Sequence, residues 1–166
     1  MIKHESSIYI ACPVDAAFAV IADVAGYTQW LPQSRVFAGC SSPDRLGVGA
    51  TYVDRVRAGI VTIGLQGVIT TYEPPHRVTF HERTPFVLPI YDVQVEYTVT
   101  PVDAGSLVQR QLCVTLAGMF RLVAPIMRGA ARAEGDRILR VLKDTLERPN
   151  GTGRRSIDEN ARERDA

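Results

Sequence analysis

Three charged side chains stand in strand-like rows that are otherwise apolar, and they are the best candidates for chemistry. Asp54 alternates with Tyr52 and Val56, Glu82 with Val78 and Phe80, and Arg110 with Val108, Leu112 and Val114. Because burial raises the pKa of a carboxyl group, Asp54 or Glu82 in an apolar wall could be a general acid or base. Asp54 could equally lie at a wet cavity mouth, or on the outer face if its row is reversed. The fork of donors on Arg110 could bind a ligand carboxylate, phenolate or carbonyl, or pair with Asp54 or Glu82.

Aromatic residues in the same rows indicate what such a wall could contact. Tyr52 and Tyr97 can each bury a ring and offer a hydroxyl to an oxygenated aromatic ligand, or be core tyrosines bonded to backbone or water. Phe80 shares a row with Glu82 and is a candidate ligand contact. Trp30, near the end of a predicted helical turn, could contact a ligand or serve packing alone. His81 falls in the alternate row and is predicted to face outward.

The clearest periodicity predicts a long amphipathic helix over residues 125–147. At about 100° per residue its apolar stripe carries Met127, Ala131, Gly135, Ile138, Leu142 and Thr145. The small residues Ala131 and Gly135 let a sheet come close or leave a space unfilled, and both are candidate ligand contacts. Glu134 lies at the edge of the stripe, where it could reach inward or be solvated.

Alternation of apolar and polar residues predicts the elements that position these side chains. Strands are expected over residues 6–11, 35–40, 50–58, 61–72, 77–83, 92–101 and 106–116. A short helix over residues 16–22 and a helical turn over 27–31 follow the first strand, with Pro13 at the start of the helix. This order predicts an α+β fold in which the sheet curls round the terminal helix.

Cysteine and histidine spacings give no sign of a metal site, a disulfide or a cofactor. The three cysteines are far apart, the three histidines form no ligand motif, and nucleotide and hydrolase signatures are missing. We therefore predict no metal and no cofactor. The net charge of +1 gives no broad surface for nucleic acid, so a nucleic-acid partner is not expected.

The ends of the sequence and two apolar connections carry further predictions. No apolar run approaches the roughly 20 residues that a membrane-spanning helix needs, and the chain begins with polar residues. We expect a cytoplasmic protein with no integral membrane segment. Residues 1–148 should form the folded domain and 149–166 a disordered charged tail, with a nucleic-acid arm as the alternative. The apolar segments 84–91 and 119–123 should rim a cavity opening or cap the core.

The order of elements and several local stretches resemble the START-like helix-grip superfamily (SRPBCC), which includes the polyketide cyclase/dehydrase family. The matching stretches are IYIACP (8–13), FAVIAD (18–23), YTQWLP (27–32), GVGA (47–50), TYEPPHRV (71–78) and VLKDTLE (141–147). The resemblance covers about residues 3–148. It implies a curved seven-stranded antiparallel sheet gripping a long C-terminal helix, with two short helices after strand 1 and a hydrophobic cavity inside.

The resemblance leaves the function open among three classes, because a fold does not select a chemistry. The first hypothesis is binding of a hydrophobic, partly oxygenated small molecule, such as an aromatic polyketide. Its enzymatic version is polyketide cyclase/dehydrase-like: Arg110 polarises a carbonyl, and Asp54, Glu82 or a tyrosine moves protons. The alternatives are a non-catalytic carrier or chaperone for a lipid or coenzyme Q-type quinone, and a protein interaction module. The protein could be a monomer or a homodimer.

Overall fold

The computed structural model describes residues 1–41, 43, 45–58, 61–85, 91–118 and 124–148. The strands are β1 (Ile2–Ile10), β2 (Phe37–Cys40), β3 (Thr51–Ala58), β4 (Val61–Glu73), β5 (Arg77–Arg83), β6 (Tyr91–Val102) and β7 (Gly105–Leu116). The helices are α1 (Val14–Ala22), a single 3-10 turn (Val24–Gly26), α2 (Tyr27–Trp30) and α3 (Ala124–Glu147). The predicted α+β helix-grip fold is confirmed.

Within the described part of the chain, the seven strands form one antiparallel sheet in the order β1-β7-β6-β5-β4-β3-β2. β1 and β2 are consecutive strands in sequence yet lie at opposite edges, so α1 and α2 carry the chain across the sheet. The register shifts between Ile69 and Thr71 on β4, where it pairs with β5. A bulge of this kind increases local twist and bend, which helps the sheet to curl towards α3.

The inward rows follow the alternation of the sequence. Tyr52, Phe80, Tyr97 and Arg110 are 4–6% exposed, whereas Val53, His81 and Gln109 on the opposite face are more open. Thr79 on β5 is an exception, because it is 2% exposed although it alternates with Phe80. β1 starts earlier than predicted, at Ile2 instead of residue 6. The extra residues pair in register with β7 as far as Val114, and Ile2 is buried in the core. Pairing with β7 therefore makes this mostly polar segment a strand.

The helix α3 is rotated slightly from its predicted phase. Gly135, Leu139 and Leu142 are its buried residues. Thr145 was expected on the inner stripe, but this is wrong: it is exposed, and its hydroxyl donates to the Val141 carbonyl at 2.8 Å. The buried positions 135, 139 and 142 are spaced by four and three residues, as one face of a helix requires. Leu139, which the predicted stripe did not include, is therefore part of the buried face.

The hydrophobic core joins the helices to the inner face of the sheet. The buried cluster joins α1, through Phe18 and Ile21, to the inner rows of the sheet and to Leu139 and Leu142 of α3. No helix of the described residues has both the length and the apolar character needed to cross a bilayer. The predicted tail at 149–166 lies outside the described residues, as do segments 86–90 and 119–123 of the two apolar connections.

Candidate functional site

A cavity of about 130 Å³ lies between the sheet and the helices α2 and α3. For scale, an engineered apolar cavity of roughly 150 Å³ holds a benzene molecule. The wall is mostly apolar. Its residues are Val24, Tyr27, Leu31, Val36, Phe37, Cys40, Tyr52, Asp54, Val56, Phe80, Glu82, Tyr91, Val93, Val95, Tyr97, Arg110, Leu112, Ala131, Glu134 and Ile138.

The structure brings most of the predicted site residues to this one cavity. Those on its wall are Tyr52, Asp54, Phe80, Glu82, Tyr97, Arg110 and Ala131. Trp30 is not part of the wall: its ring packs edge to face on Tyr27 at 5.2 Å, and its buried Nε1 has no partner among the described residues. Gly135 is also outside the wall, and a Cβ atom there would lie 2.9 Å from Arg110 Nη1.

Asp54, Glu82 and Tyr52 form what we call the acid wall. The Tyr52 hydroxyl donates to Glu82 Oε1 at 2.7 Å, although β4 lies between their two strands. The contact is possible because Gly67 stands opposite both residues in the register. A Cβ atom on Gly67 would overlap the Tyr52 ring, so the missing side chain opens the path across β4.

Both carboxyl groups of the acid wall have a raised pKa. Burial raises the pKa of Asp54 to about 8, and the negative charge of Glu82 adds to the effect. Burial also raises the pKa of Glu82, against the lowering effects of the Tyr52 hydrogen bond and the Arg110 charge. Asp54 Oδ1 is buried and has no hydrogen-bond partner among the described residues. Groups with such pKa values are suited to general acid–base work, or mark a site that awaits a ligand.

Tyr97 and Arg110 form the basic wall, where they face each other across β6 and β7. Arg110 is only 6% exposed, and its Nε donates to the Tyr97 hydroxyl at 3.1 Å. Its guanidinium carbon lies 5.8 Å from the centre of the Tyr97 ring, within cation–π range. Its Nη1 is buried without a partner in the described part of the chain.

The ion pair that the sequence suggested for Arg110 is not formed. Among the ion pairs of the described residues, none joins Arg110 to Asp54 or Glu82. The Glu82 carboxylate is instead engaged with Tyr52. Among the described residues Arg110 therefore has no ion-pair partner, although its charge still lowers the pKa of Glu82.

Phe80 stands between the two walls. Its ring meets Tyr52 at 6.1 Å and Tyr97 at 6.2 Å between centroids, both edge to face. Tyr27 on α2, which the sequence did not single out, packs edge to face on Phe80 with 6.4 Å between ring centroids. Its hydroxyl donates to the Ile21 carbonyl at 2.6 Å.

Sequence reasoning also missed Cys40 and Tyr91, which line the cavity. Burial raises the pKa of both to about 12, with the Asp54 charge second for Cys40 and the Glu82 charge second for Tyr91.

Glu134 reaches the cavity, but other side chains hold it. Arg137 binds its carboxylate with two hydrogen bonds of 2.7 and 3.0 Å, and the Ser34 hydroxyl donates to it at 2.9 Å. Arg137 also donates to the Pro32 carbonyl at 3.1 Å, which ties α3 to the segment after α2. His81 faces outward, as predicted, and lies 3.0 Å from the Asp92 carboxylate.

No group of three or more potential metal ligands occurs among the residues that the structure describes. Of the two carboxylates of the acid wall, Glu82 accepts a hydrogen bond from the Tyr52 hydroxyl. The donor set of the cavity is thus oxygen and guanidinium groups in an apolar setting, which is the usual composition of a site for an organic ligand.

A sheet that curls round its terminal helix over a partly polar cavity defines a START-like helix-grip protein. The sequence matches the family described as polyketide cyclase/dehydrase and lipid transport over residues 1–147, and the chain belongs to that family. None of the curated proteins is a significant match to the sequence.

Several solved structures share the fold. The di-domain ARO/CYC BexL has a TM-score of 0.69 and 14% identity over 89% of this chain, and the chain spans 50% of its length. A Thermus thermophilus protein has a TM-score of 0.68 and 14% identity over 87% of this chain and 96% of its own. A START superfamily protein from Mycobacterium smegmatis has a TM-score of 0.68 and 12% identity, covering 87% and 97%.

Proposed function

We propose that the protein binds a hydrophobic, partly oxygenated small molecule in the cavity between the sheet and α3. One observation carries this proposal: Asp54 and Arg110 both line a mostly apolar cavity, and each has a buried polar atom, Oδ1 and Nη1, that lacks a partner among the described residues. A buried polar group left unpaired costs about 1–3 kcal/mol. Ligand oxygens that bond to these atoms would remove that cost, while apolar ligand surface would fill the remaining volume.

The acid wall favours a second, enzymatic version of this function. In a polyketide cyclase/dehydrase-like reaction, Arg110 would polarise a ligand carbonyl so that the adjacent carbon loses a proton more readily. Asp54 or Glu82 in its ionised form would accept that proton, and its protonated form would deliver one to a departing hydroxyl, which leaves as water. The pKa of about 8 at Asp54 supports both roles near neutral pH. The likeness to an ARO/CYC structure supports the same reading.

The non-catalytic alternative is a carrier for a lipid or a coenzyme Q-type quinone, which the family description also accommodates. A carrier requires volume and apolar walls, and its affinity should not depend on a carboxylate that moves protons. The double variant Asp54→Asn/Glu82→Gln separates the two versions. For a carrier, neither the wild-type protein nor the variant converts the ligand, and both bind it equally. For an enzyme, the wild-type protein converts the ligand and the variant binds it without converting it.

Native mass spectrometry of the purified protein, followed by solvent extraction, tests the binding proposal directly. We expect a co-purifying or added hydrophobic oxygenated compound, and we expect Arg110→Met to weaken its binding at least tenfold. Arg55→Met is the matched control, because Arg55 is an exposed cation on the opposite face of β3. Unchanged affinity in a folded Arg110→Met protein would remove Arg110 from the site.

Three further expectations accompany the proposal. We expect the protein to work in the cytoplasm as a monomer or homodimer. A similar structure, the Aha1 dimer from Colwellia psychrerythraea, has a TM-score of 0.61 and 15% identity, and covers 91% of this chain and 100% of its own. Residues 149–166 remain a predicted charged tail outside the folded domain 1–148.

A further inference from the structure

The basic wall presents hydrogen-bond donors whose acceptors are not supplied by the described residues. Because the Tyr97 hydroxyl oxygen accepts from Arg110 Nε, the hydroxyl's own hydrogen is left to point elsewhere. Arg110 Nη1 has no partner in the described part of the chain and lies beside Gly135 of α3. Tyr97 and Arg110 both line the cavity, and Arg110 is only 6% exposed to solvent.

The helix α3 makes room for this cation. A Cβ atom on Gly135 would lie 2.9 Å from Arg110 Nη1, so any larger residue here would displace the guanidinium. Glycine inside a helix is destabilising relative to alanine. The missing side chain of Gly135 therefore leaves the space that the Arg110 guanidinium occupies.

The acid wall supplies no ion-pair partner for Arg110 among the described residues, although the Arg110 charge lowers the pKa of Glu82. The Glu82 carboxylate accepts its hydrogen bond from Tyr52 and forms no ion pair with Arg110. Burial raises the pKa of both Asp54 and Glu82, which favours their neutral forms. A buried cation without a close anion is costly, and a bound anion is the direct way to compensate it.

We propose that the ligand carries a carboxylate that Arg110 and Tyr97 bind together, while its apolar body lies against Phe80, Val95 and Leu112. This inference rests on the proposed function, because it specifies the chemical class of molecule that the same cavity binds. The planar guanidinium matches the two oxygens of a carboxylate, and the Tyr97 hydroxyl adds a donor on the same side. A neutral ketone of equal shape offers one weaker acceptor instead.

A matched pair of single-ring probes, chosen for the size of the cavity, tests the inference: benzoate, and acetophenone as its neutral counterpart of similar shape. Isothermal titration calorimetry at pH 7 should show that the wild-type protein binds benzoate at least tenfold more tightly than acetophenone. Arg110→Met should abolish this preference. Tyr97→Phe should reduce the preference severalfold, and Arg55→Met on the outer face should leave it intact.

The outcomes separate this inference from the proposal beneath it. Equal affinity for the two probes in the wild-type protein overturns the carboxylate inference and leaves the binding function standing. Binding of neither probe overturns both for compounds of this size. Should Arg110→Met fail to fold by circular dichroism, the conservative Tyr97→Phe decides, and an unchanged preference in that variant rejects the inference.

Discussion

The acid wall and the basic wall use the same pair of residue types, a tyrosine and a charged side chain, in opposite senses. Tyr52 donates its hydrogen to Glu82, whereas Tyr97 accepts one from Arg110. Tyr52 must reach across β4 over Gly67, whereas Tyr97 stands directly opposite Arg110 on the adjacent strand.

The two walls differ in how easily a substitution would disrupt their hydrogen bonds. In the acid wall the key contact depends on a glycine that belongs to neither partner, so the chemistry of two residues is controlled by a third. In the basic wall the contact depends on register alone, and the cation–π contact at 5.8 Å provides a second interaction between the same residues. The acid wall should therefore respond to change more strongly than the basic wall.

The largest expected effect is the pH dependence that the acid wall imposes on stability. Asp54 has a pKa of about 8 in the fold against 3.8 ordinarily, so between these values the folded state keeps a proton that the unfolded chain has lost. The free energy of unfolding should fall as pH rises, by up to about 1.4 kcal/mol per pH unit and about 3 kcal/mol from pH 5 to pH 8. Asp54→Asn should flatten this slope in urea denaturation at four pH values.

The control for that profile is Glu5→Gln, which removes an exposed carboxyl group on the outer face of β1. It should keep the slope of the wild-type protein. If Asp54→Asn keeps the full slope as well, burial of the Asp54 carboxyl is not the source of the pH dependence.

The next effect is smaller and tests the glycine on which the acid wall depends. Gly67→Ala should lower the free energy of unfolding by about 2 kcal/mol, because the new methyl group forces the Tyr52 ring out of place. Gly64→Ala on the same strand is the matched control, since a Cβ there meets Val53 Cγ1 at an ordinary 3.5 Å. Equal stability of the two variants in urea denaturation would show that the Tyr52 ring is free to move.

The smallest effect compares the two hydroxyl groups directly. Tyr52→Phe and Tyr97→Phe should each cost about 1 kcal/mol, the usual contribution of one hydrogen bond. The Tyr52 bond lowers the pKa of Glu82, so its contribution should grow as pH rises and Glu82 ionises. The cost of Tyr97→Phe should stay constant between pH 5 and pH 8, and parallel profiles for the two variants would contradict the contrast between the walls.

The sequence was sufficient to predict the faces of the strands but not the partners of the side chains on them. Alternation alone places Asp54, Glu82 and Arg110 in inward rows, because each strand obeys the period of two by itself. The Tyr52 contact with Glu82 requires the register of three strands and a gap at Gly67, which no single strand encodes. The same limit explains why the sequence left an Arg110 ion pair with Asp54 or Glu82 open as an alternative, which is not formed among the described residues.

The helices show the same limit in another form. A stripe at 100° per residue identifies α3 but not its rotation, which packing on β1 and β7 decides. Leu139, outside the predicted stripe, is therefore buried, whereas Thr145, within that stripe, is exposed. Trp30 belongs to a single turn of helix whose orientation depends on its neighbours, and its contact with Tyr27 takes it away from the cavity wall.

Because β1 lies at the edge of the sheet beside β7, the site can form only late in synthesis. In the part of the chain that the structure describes, β1 pairs with β7 alone, so Ile2 lies opposite Val114 and Ile10 opposite Ser106, about a hundred residues apart in sequence. During synthesis the first strand must wait until the last strand has emerged, and such distant pairings form slowly. Arg110 and α3 arrive in the same final stretch. A nascent chain can therefore capture no ligand until nearly all of the domain has left the ribosome.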